Sequence, residues 1–280
     1  MKMLVWRKVK NAGMTFFMGF FTLAVLAPLA MIFFHIVKMG FSSINADFFT
    51  QIPKPPGEAG GGMANGLFGS GVLIFISSLL GIPVGIFGAI YLNEYGKGRL
   101  TNVIRFCADV LAGIPSIITG MVAYTLLVVP MKSFSALAGA FALALIMIPI
   151  VLRTTEEQLK LVPSSLREAS LALGIPMWRT TLKVTLRSAL AGVMTGILLS
   201  IARVAGETAP LLFTALGNQF WSRKLNEPIA ALPLQIFNFA ISPYEDWHRL
   251  AWAGALVLVT IMFVLSLSAR FFGRTRRQGN

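Results

Sequence analysis

The sequence predicts an all-α polytopic membrane protein of six transmembrane helices with both termini cytoplasmic. Three observations carry that expectation. Of 280 residues, 56% are hydrophobic and 12% are charged, with a mean hydropathy of +0.75. An average soluble domain is about 45–50% apolar and about 25% charged, so a soluble fold of this size could not hide so much apolar surface. Six apolar runs of spanning length recur along the chain, and the basic residues are shared unequally between the segments that join them.

A hydrocarbon core about 30 Å thick needs roughly 20 apolar residues per helix. The first run, 14–38, follows a basic segment but is too long for a signal peptide and lacks a small-residue cleavage site. The others fall at 67–93, 103–130, 134–152, 189–217 and 249–272. Gly81 with Gly85, and Gly192 with Gly196, have the GxxxG spacing that lets helix backbones approach closely. Pro83, Pro115, Pro149 and Pro210 are expected to kink or break their spans. The organisation expected is a first helix with a periplasmic loop over 1–66, a helical domain over 67–272, and a basic cytoplasmic tail over 273–280.

With the N-terminus inside, 17 of the 24 Lys and Arg residues fall on the cytoplasmic side, six fall outside, and Arg203 lies within a span. Anionic lipid and the membrane potential retain basic loops in the cytoplasm. The net charge of +13 is therefore a record of topology in a lipid bilayer, and no nucleic acid partner is expected. Cys107 is the single cysteine and His35 and His248 are the only histidines. Neither a disulfide nor a metal site is expected from them.

Outside, the stretch from Gln51 to Gly62 is rich in Pro and Gly and is expected to be flexible, with no core of its own. The outer loop 218–248 contains an apolar stretch, Pro228 to Phe239, too short to span; an interfacial or re-entrant segment is expected. The largest cytoplasmic loop, 153–188, is the most informative. Ser164 and Ser165 precede good helix formers and Glu168, which predicts a capped short helix. Gly174 is placed to end it in a left-handed turn, with Pro176 at the exit. Such a helix could lie on the headgroups or present a rigid knob to a cytoplasmic partner.

Glu168-Ala169-Ser170 followed by Gly174 resembles the EAA loop of ABC importer permeases. In that family the loop forms a coupling helix seated in a cleft of the ATPase subunit. The resemblance implies the type I importer permease fold and a coupling role for Glu168, Ala169 and Gly174. Two positions depart from the pattern: Ser170 stands at the second Ala, and Arg187 replaces a Pro after Val184 and Leu186.

The fifth span holds Arg203, Gly206, Glu207, Thr208, Ala209 and Pro210. A mid-membrane Arg costs about 2.5–3.5 kcal/mol on insertion scales. Counted from residue 188 at ~1.5 Å per residue, Arg203 lies roughly 22 Å in. Arg203 and Glu207 share a helix face at i,i+4, so a self-neutralising structural pair is one reading. The other is an anion station: guanidinium stays charged and its planar fork matches two phosphate oxygens at once. Gly206 and Pro210 favour a helix break here, which would turn backbone N–H groups toward a cavity.

The run from Arg203 to Leu212 resembles the RxxGETAPL signature of PstA-type permeases of the phosphate-specific ABC importers. Leu111 to Gly120 and the stretch from Thr214 to Trp247 extend the resemblance across about 67–272. It implies import of inorganic phosphate across the bacterial inner membrane by alternating access, with Arg203, Glu207 and Thr208 on the substrate pathway. It also implies a homologous PstC-type permease, a PstB-type ATPase dimer and a PstS-type periplasmic phosphate-binding protein as partners. Asp109, also intramembrane, matches only by neighbourhood, and a bundle hydrogen bond is the competing role. No GxxxxGK[ST] phosphate loop occurs, so no cofactor is expected in this chain and ATP with Mg belongs to the partner ATPase. The alternatives are a permease for another oxyanion, a channel or exchanger, which leaves the coupling loop unexplained, and an intramembrane enzyme. The enzyme reading is the remotest, because both histidines lie near the outer membrane face, away from Ser116 and Ser200, and no paired acids recur.

Overall fold

A computed structural model of the chain describes residues 2–58 and 60–274. Of the basic tail expected over 273–280, residues 275–280 lie outside the described residues. The first span is one long helix, α1 (Lys2–Phe41), which contains Pro28. At 40 residues and ~1.5 Å each it is about 60 Å long, twice the hydrocarbon thickness. It touches the rest of the described chain through the last helix, where Gly40 lies against Trp252 and Leu256 and the His35 and Trp252 rings meet edge-on at 5.0 Å.

Helix α2 (Ala46–Thr50) is capped by Asn45, whose side chain accepts from the Phe48 backbone N–H. Helix α3 (Ala64–Ile90) continues through a π turn, Tyr91–Tyr95. Then come α4 (Arg99–Gly113), α5 (Ser116–Ala123) and, after a second π turn, α6 (Val129–Met131). The expected single span over 103–130 is therefore corrected. Its two halves meet at 107°, because Pro115 disfavours helical geometry in Ile114, which is extended at ψ 134°. The half bearing Arg99, Arg105 and Asp109 turns aside from the half that follows, and the two reach spanning length only together, as one bent pair.

Helix α7 (Ala136–Lys160) starts on the Ser135 hydroxyl, which accepts from the Ala138 N–H, and runs two turns past the expected end. Helices α8 (Ser164–Ala172) and α9 (Met177–Thr180) lie in the loop 153–188, and a π turn leads into α10 (Leu186–Ala205). Short α11 (Ala209–Leu212), α12 (Leu232–Ala240) and α13 (Glu245–Arg274) complete the chain. Among the described residues five helices are long and apolar enough to cross a membrane, six with the bent pair as one.

Helix α7 is the centre of the bundle, with α3 and α10 packed on it. Both GxxxG pairs mark these contacts: Gly81 and Gly85 face Met147 and Val151, and Gly192 and Gly196 face Gln158 and Thr154. A Cβ on Gly85 would stand 2.8 Å from the Val151 side chain and 3.1 Å from the Ile148 carbonyl. Gly85→Leu is therefore expected to destabilise the bundle by about 1–3 kcal/mol through overpacking. Gly13→Leu, at a position with nothing within 4 Å, is the control; equal melting temperatures in detergent would refute this packing.

The outer segments are better ordered than their composition implied. On either side of the stretch expected to lack a core, Phe48 and Met63 are fully buried and join Leu232, Phe239, Leu250 and Ala253 in a second apolar cluster. The cluster that anchors both ends of the stretch is assembled from α12 and α13, nearly 200 residues away. Helix α12 forms within the apolar stretch of 218–248; its first turn, Leu232 to Gln235, is buried together with Phe239, and Gln235 donates to Asn65 at 3.1 Å.

Candidate substrate pathway and coupling surface

The knob expected in the loop 153–188 is built by local chemistry. Gly174 adopts φ +75°, the left-handed conformation that favours glycine, and its N–H donates to the Leu171 carbonyl at 2.9 Å. The expected Ser cap is not made. Pro163, extended at ψ 138°, occupies the N-cap position, so Ser164 and Ser165 fall inside the first turn with no side-chain capping bond. Ser170, which departs from the Ala of the motif, is buried and bonds the Thr180 hydroxyl at 2.8 Å, fastening α8 to α9. Glu168, Ala169 and Gly174 are exposed. Around them Leu171, Leu173 and Trp178 are also exposed, Leu173 at 80%, so an apolar surface rimmed by Glu168 and Arg179 faces outward.

Beneath the knob lies a charge network that sequence reasoning missed. The Glu156 side chain is 1% exposed and bonded by three cations: Arg105 at 2.8 Å, Lys160 at 2.8 Å and Arg153 at 3.2 Å. Arg153 also pairs with Asp109, so the intramembrane acid has a cationic partner. Arg167 of α8 pairs with Glu94 of the first π turn at 2.9 Å and donates to the Leu159 carbonyl at 2.9 Å. The spacing of Arg153, Glu156 and Lys160 on one helix face was a visible signal; Arg105 and Glu94, from distant segments, had none.

The fifth span breaks where Gly206 and Pro210 predicted, but its ends shift. Helix runs from Met177 to Ala205, and 206–217 folds back instead of completing a span. Arg203 therefore stands on the last turn of α10. Its neighbour Val204 shares a small recess with Leu73, Leu143 and Leu211. Leu73 and Leu143 lie nine and seven residues from the starts of α3 and α7, about 13 and 10 Å along those helices. That placement is consistent with the depth counted from residue 188: Arg203 lies past the middle of the span, toward the end where α3 and α7 begin.

The Arg203 side chain is 60% exposed and its Nε is 3.8 Å from Glu207 Oε1, beyond hydrogen-bond range. Among the described residues the guanidinium has no closer partner, so its donors are unspent. Glu207 and Thr208 occupy the break itself, both partly exposed. The break is braced from behind. Gly120 of α5 packs so close to Pro210 that a Cβ would stand 2.6 Å from its Cα, and Thr214 donates to the Pro210 carbonyl at 2.7 Å. The Leu111–Gly120 motif thus meets the Arg203–Leu212 motif in space. Arg203, Glu207 and Thr208 come together; Glu168, Ala169 and Gly174 form a separate group beyond the inner end of α7.

Comparison with known proteins agrees with this architecture. Residues 81–278 match the family described as "Binding-protein-dependent transport system inner membrane component". The phosphate transport system permease protein PstA of Yersinia pestis is 49% identical over 270 residues, covering 96% of this chain and 92% of that protein. The PstA of Pasteurella multocida (strain Pm70) is 47% identical, covering 95% of each. In fold, the chain resembles a solved bacterial ABC transporter involved in import of the acidic polysaccharide alginate, with a TM-score of 0.58 at 14% identity, covering 97% of this chain and 99% of that one. A family model over most of the chain and relatives matched nearly end to end leave one conclusion: this chain is an inner-membrane component of a binding-protein-dependent transport system and belongs to the PstA family of phosphate transport system permeases.

Proposed function

We propose that Arg203, Glu207 and Thr208 form the phosphate station of this permease, and that the α8 knob receives the force that drives it. The observation that carries the reading is the exposed guanidinium of Arg203, unbonded at a helix end inside the membrane. An Arg there is unfavourable by about 2.5–3.5 kcal/mol and is not neutralised by a close bond to Glu207. An arriving phosphate would supply that missing partner through two charge-assisted hydrogen bonds.

Glu207, one turn on, holds the guanidinium loosely in the empty state and accepts a hydrogen bond from a protonated phosphate oxygen. Thr208 offers a hydroxyl that can donate to the anion or accept from it. Opposite α10 stands a homologous PstC-type permease, completing the pathway. A PstB-type ATPase dimer receives the exposed apolar knob around Glu168, Ala169 and Gly174, and a PstS-type binding protein delivers phosphate from outside. ATP and Mg act in the ATPase subunits. Their closure displaces α8, and the packed spans rock so that the station opens first outward and then inward.

The test is ATP-dependent uptake of radiolabelled phosphate into proteoliposomes holding this chain with those three partners. Uptake is expected to survive an excess of sulfate, which cannot donate a hydrogen bond to Glu207 at neutral pH. Uptake of sulfate in place of phosphate would overturn the reading in favour of another oxyanion.

A further inference from the structure

We propose that Glu94 and Glu156 are positioning residues of a charge clamp that makes α3, α4 and α7 follow the α8 knob as one body. This rests on the reading of α8 as the seat of the ATPase and extends it inward. Four cations, Arg105, Arg153, Lys160 and Arg167, surround three carboxylates, Glu94, Asp109 and Glu156. The two central carboxylates are nearly sealed from solvent, with side chains 5% and 1% exposed, so salt screens them little.

The bonds run between elements. Arg167 leaves α8 and grips Glu94 in the π turn that extends α3 and the Leu159 carbonyl at the end of α7. Arg105 leaves α4 and grips Glu156 of α7, reaching the Leu92 carbonyl at 3.5 Å. Arg153 of α7 returns to α4, bonding Asp109 and the Arg105 carbonyl. Asn93 donates to Glu94 at 2.7 Å and fixes its orientation. A displacement of α8 is thus transmitted to α3 by a single ion pair and to α4 by the Glu156 group.

Geometry explains the arrangement better than stability does. Buried ion pairs add little net stability over apolar packing of the same volume, whereas directional bonds to three backbone segments hold those segments in one register. The corner at Ile114 leaves α4 turned away from the span that follows it, and the clamp holds it to α7.

The experiment uses the complete complex in proteoliposomes. ATP hydrolysis and phosphate uptake are measured together, and hydrogen exchange over 91–113 and 164–172 is followed with and without ATP. For Glu94→Gln and Glu156→Gln, hydrolysis is expected to stay within about twofold of the parent while uptake falls by about fivefold or more. The ATP-driven exchange change should persist over 164–172 and vanish over 91–113. Glu94→Arg combined with Arg167→Glu is expected to restore uptake to at least about half, a rescue a merely structural loss would not give. Unchanged uptake, or uptake and hydrolysis falling in proportion, overturns the clamp. If the parent complex shows the exchange response without phosphate uptake, the phosphate reading fails instead, and the exchange over 91–113 alone decides the clamp.

Discussion

Arg203→Gln is expected to lower phosphate uptake by about a hundredfold or more in a complex that still assembles. Hydrogen bonds to a charged group are worth about 1.5–3 kcal/mol each, and a phosphate at this station would take two from the guanidinium fork. Losing both amounts to about 3–6 kcal/mol, and each 1.4 kcal/mol is tenfold. Gln retains a donor but neither the fixed charge nor the fork. Assembly is expected to survive because the side chain is 60% exposed and 3.8 Å from its nearest partner, so little packing is lost. Arg203→Lys separates charge from geometry. It keeps the charge without the fork, and partial uptake is the expected result. Radiolabelled phosphate uptake per assembled complex is the measurement; near-normal uptake by Arg203→Gln would sink the anion station.

Gly174→Val acts at the opposite end of the molecule and through the backbone alone. Gly174 sits at φ +75° with nothing within 4 Å of its Cβ position, so no clash arises and conformational strain is the whole effect. A non-glycine residue in the left-handed region is disfavoured by about 1–2 kcal/mol, and a β-branched one is a stronger outlier. The turn is expected to relax by giving up the Gly174-to-Leu171 hydrogen bond, which swings Leu173 and Trp178 out of register. The ATPase should then fail to co-purify, or hydrolyse ATP without driving uptake. Gly174→Asn is expected to be milder, since Asn tolerates the left-handed conformation. Retention by Gly174→Val of both uptake and the co-purifying ATPase would refute the docking surface.

These two positions were legible because each is a local departure from a physical rule. Arg203 breaks the exclusion of charge from a span, and Gly174 follows a helical run with the one residue type that turns left-handed at no steric penalty. Small-residue spacing likewise announced where α3 and α10 meet α7. By contrast, Ser164 and Ser165 suggested a cap that Pro163 pre-empts, because its fixed backbone already sets the helix entrance. Phe48 and Met63 flank a stretch whose composition promises flexibility, and only α12 and α13 give them an interior.

Single stretches of the chain were enough to specify the membrane, the order of the apolar runs and the break after Arg203. Each is a property of one segment measured against lipid, water or the helix period. Tertiary structure alone decided the 107° corner between α4 and α5, the meeting of Gly120 with Pro210, and the cations from two helices gathered on Glu156. A corner angle depends on what each half packs against, and a buried charge is tolerable only when partners from distant segments arrive together. Neither condition is written in any single stretch of chain.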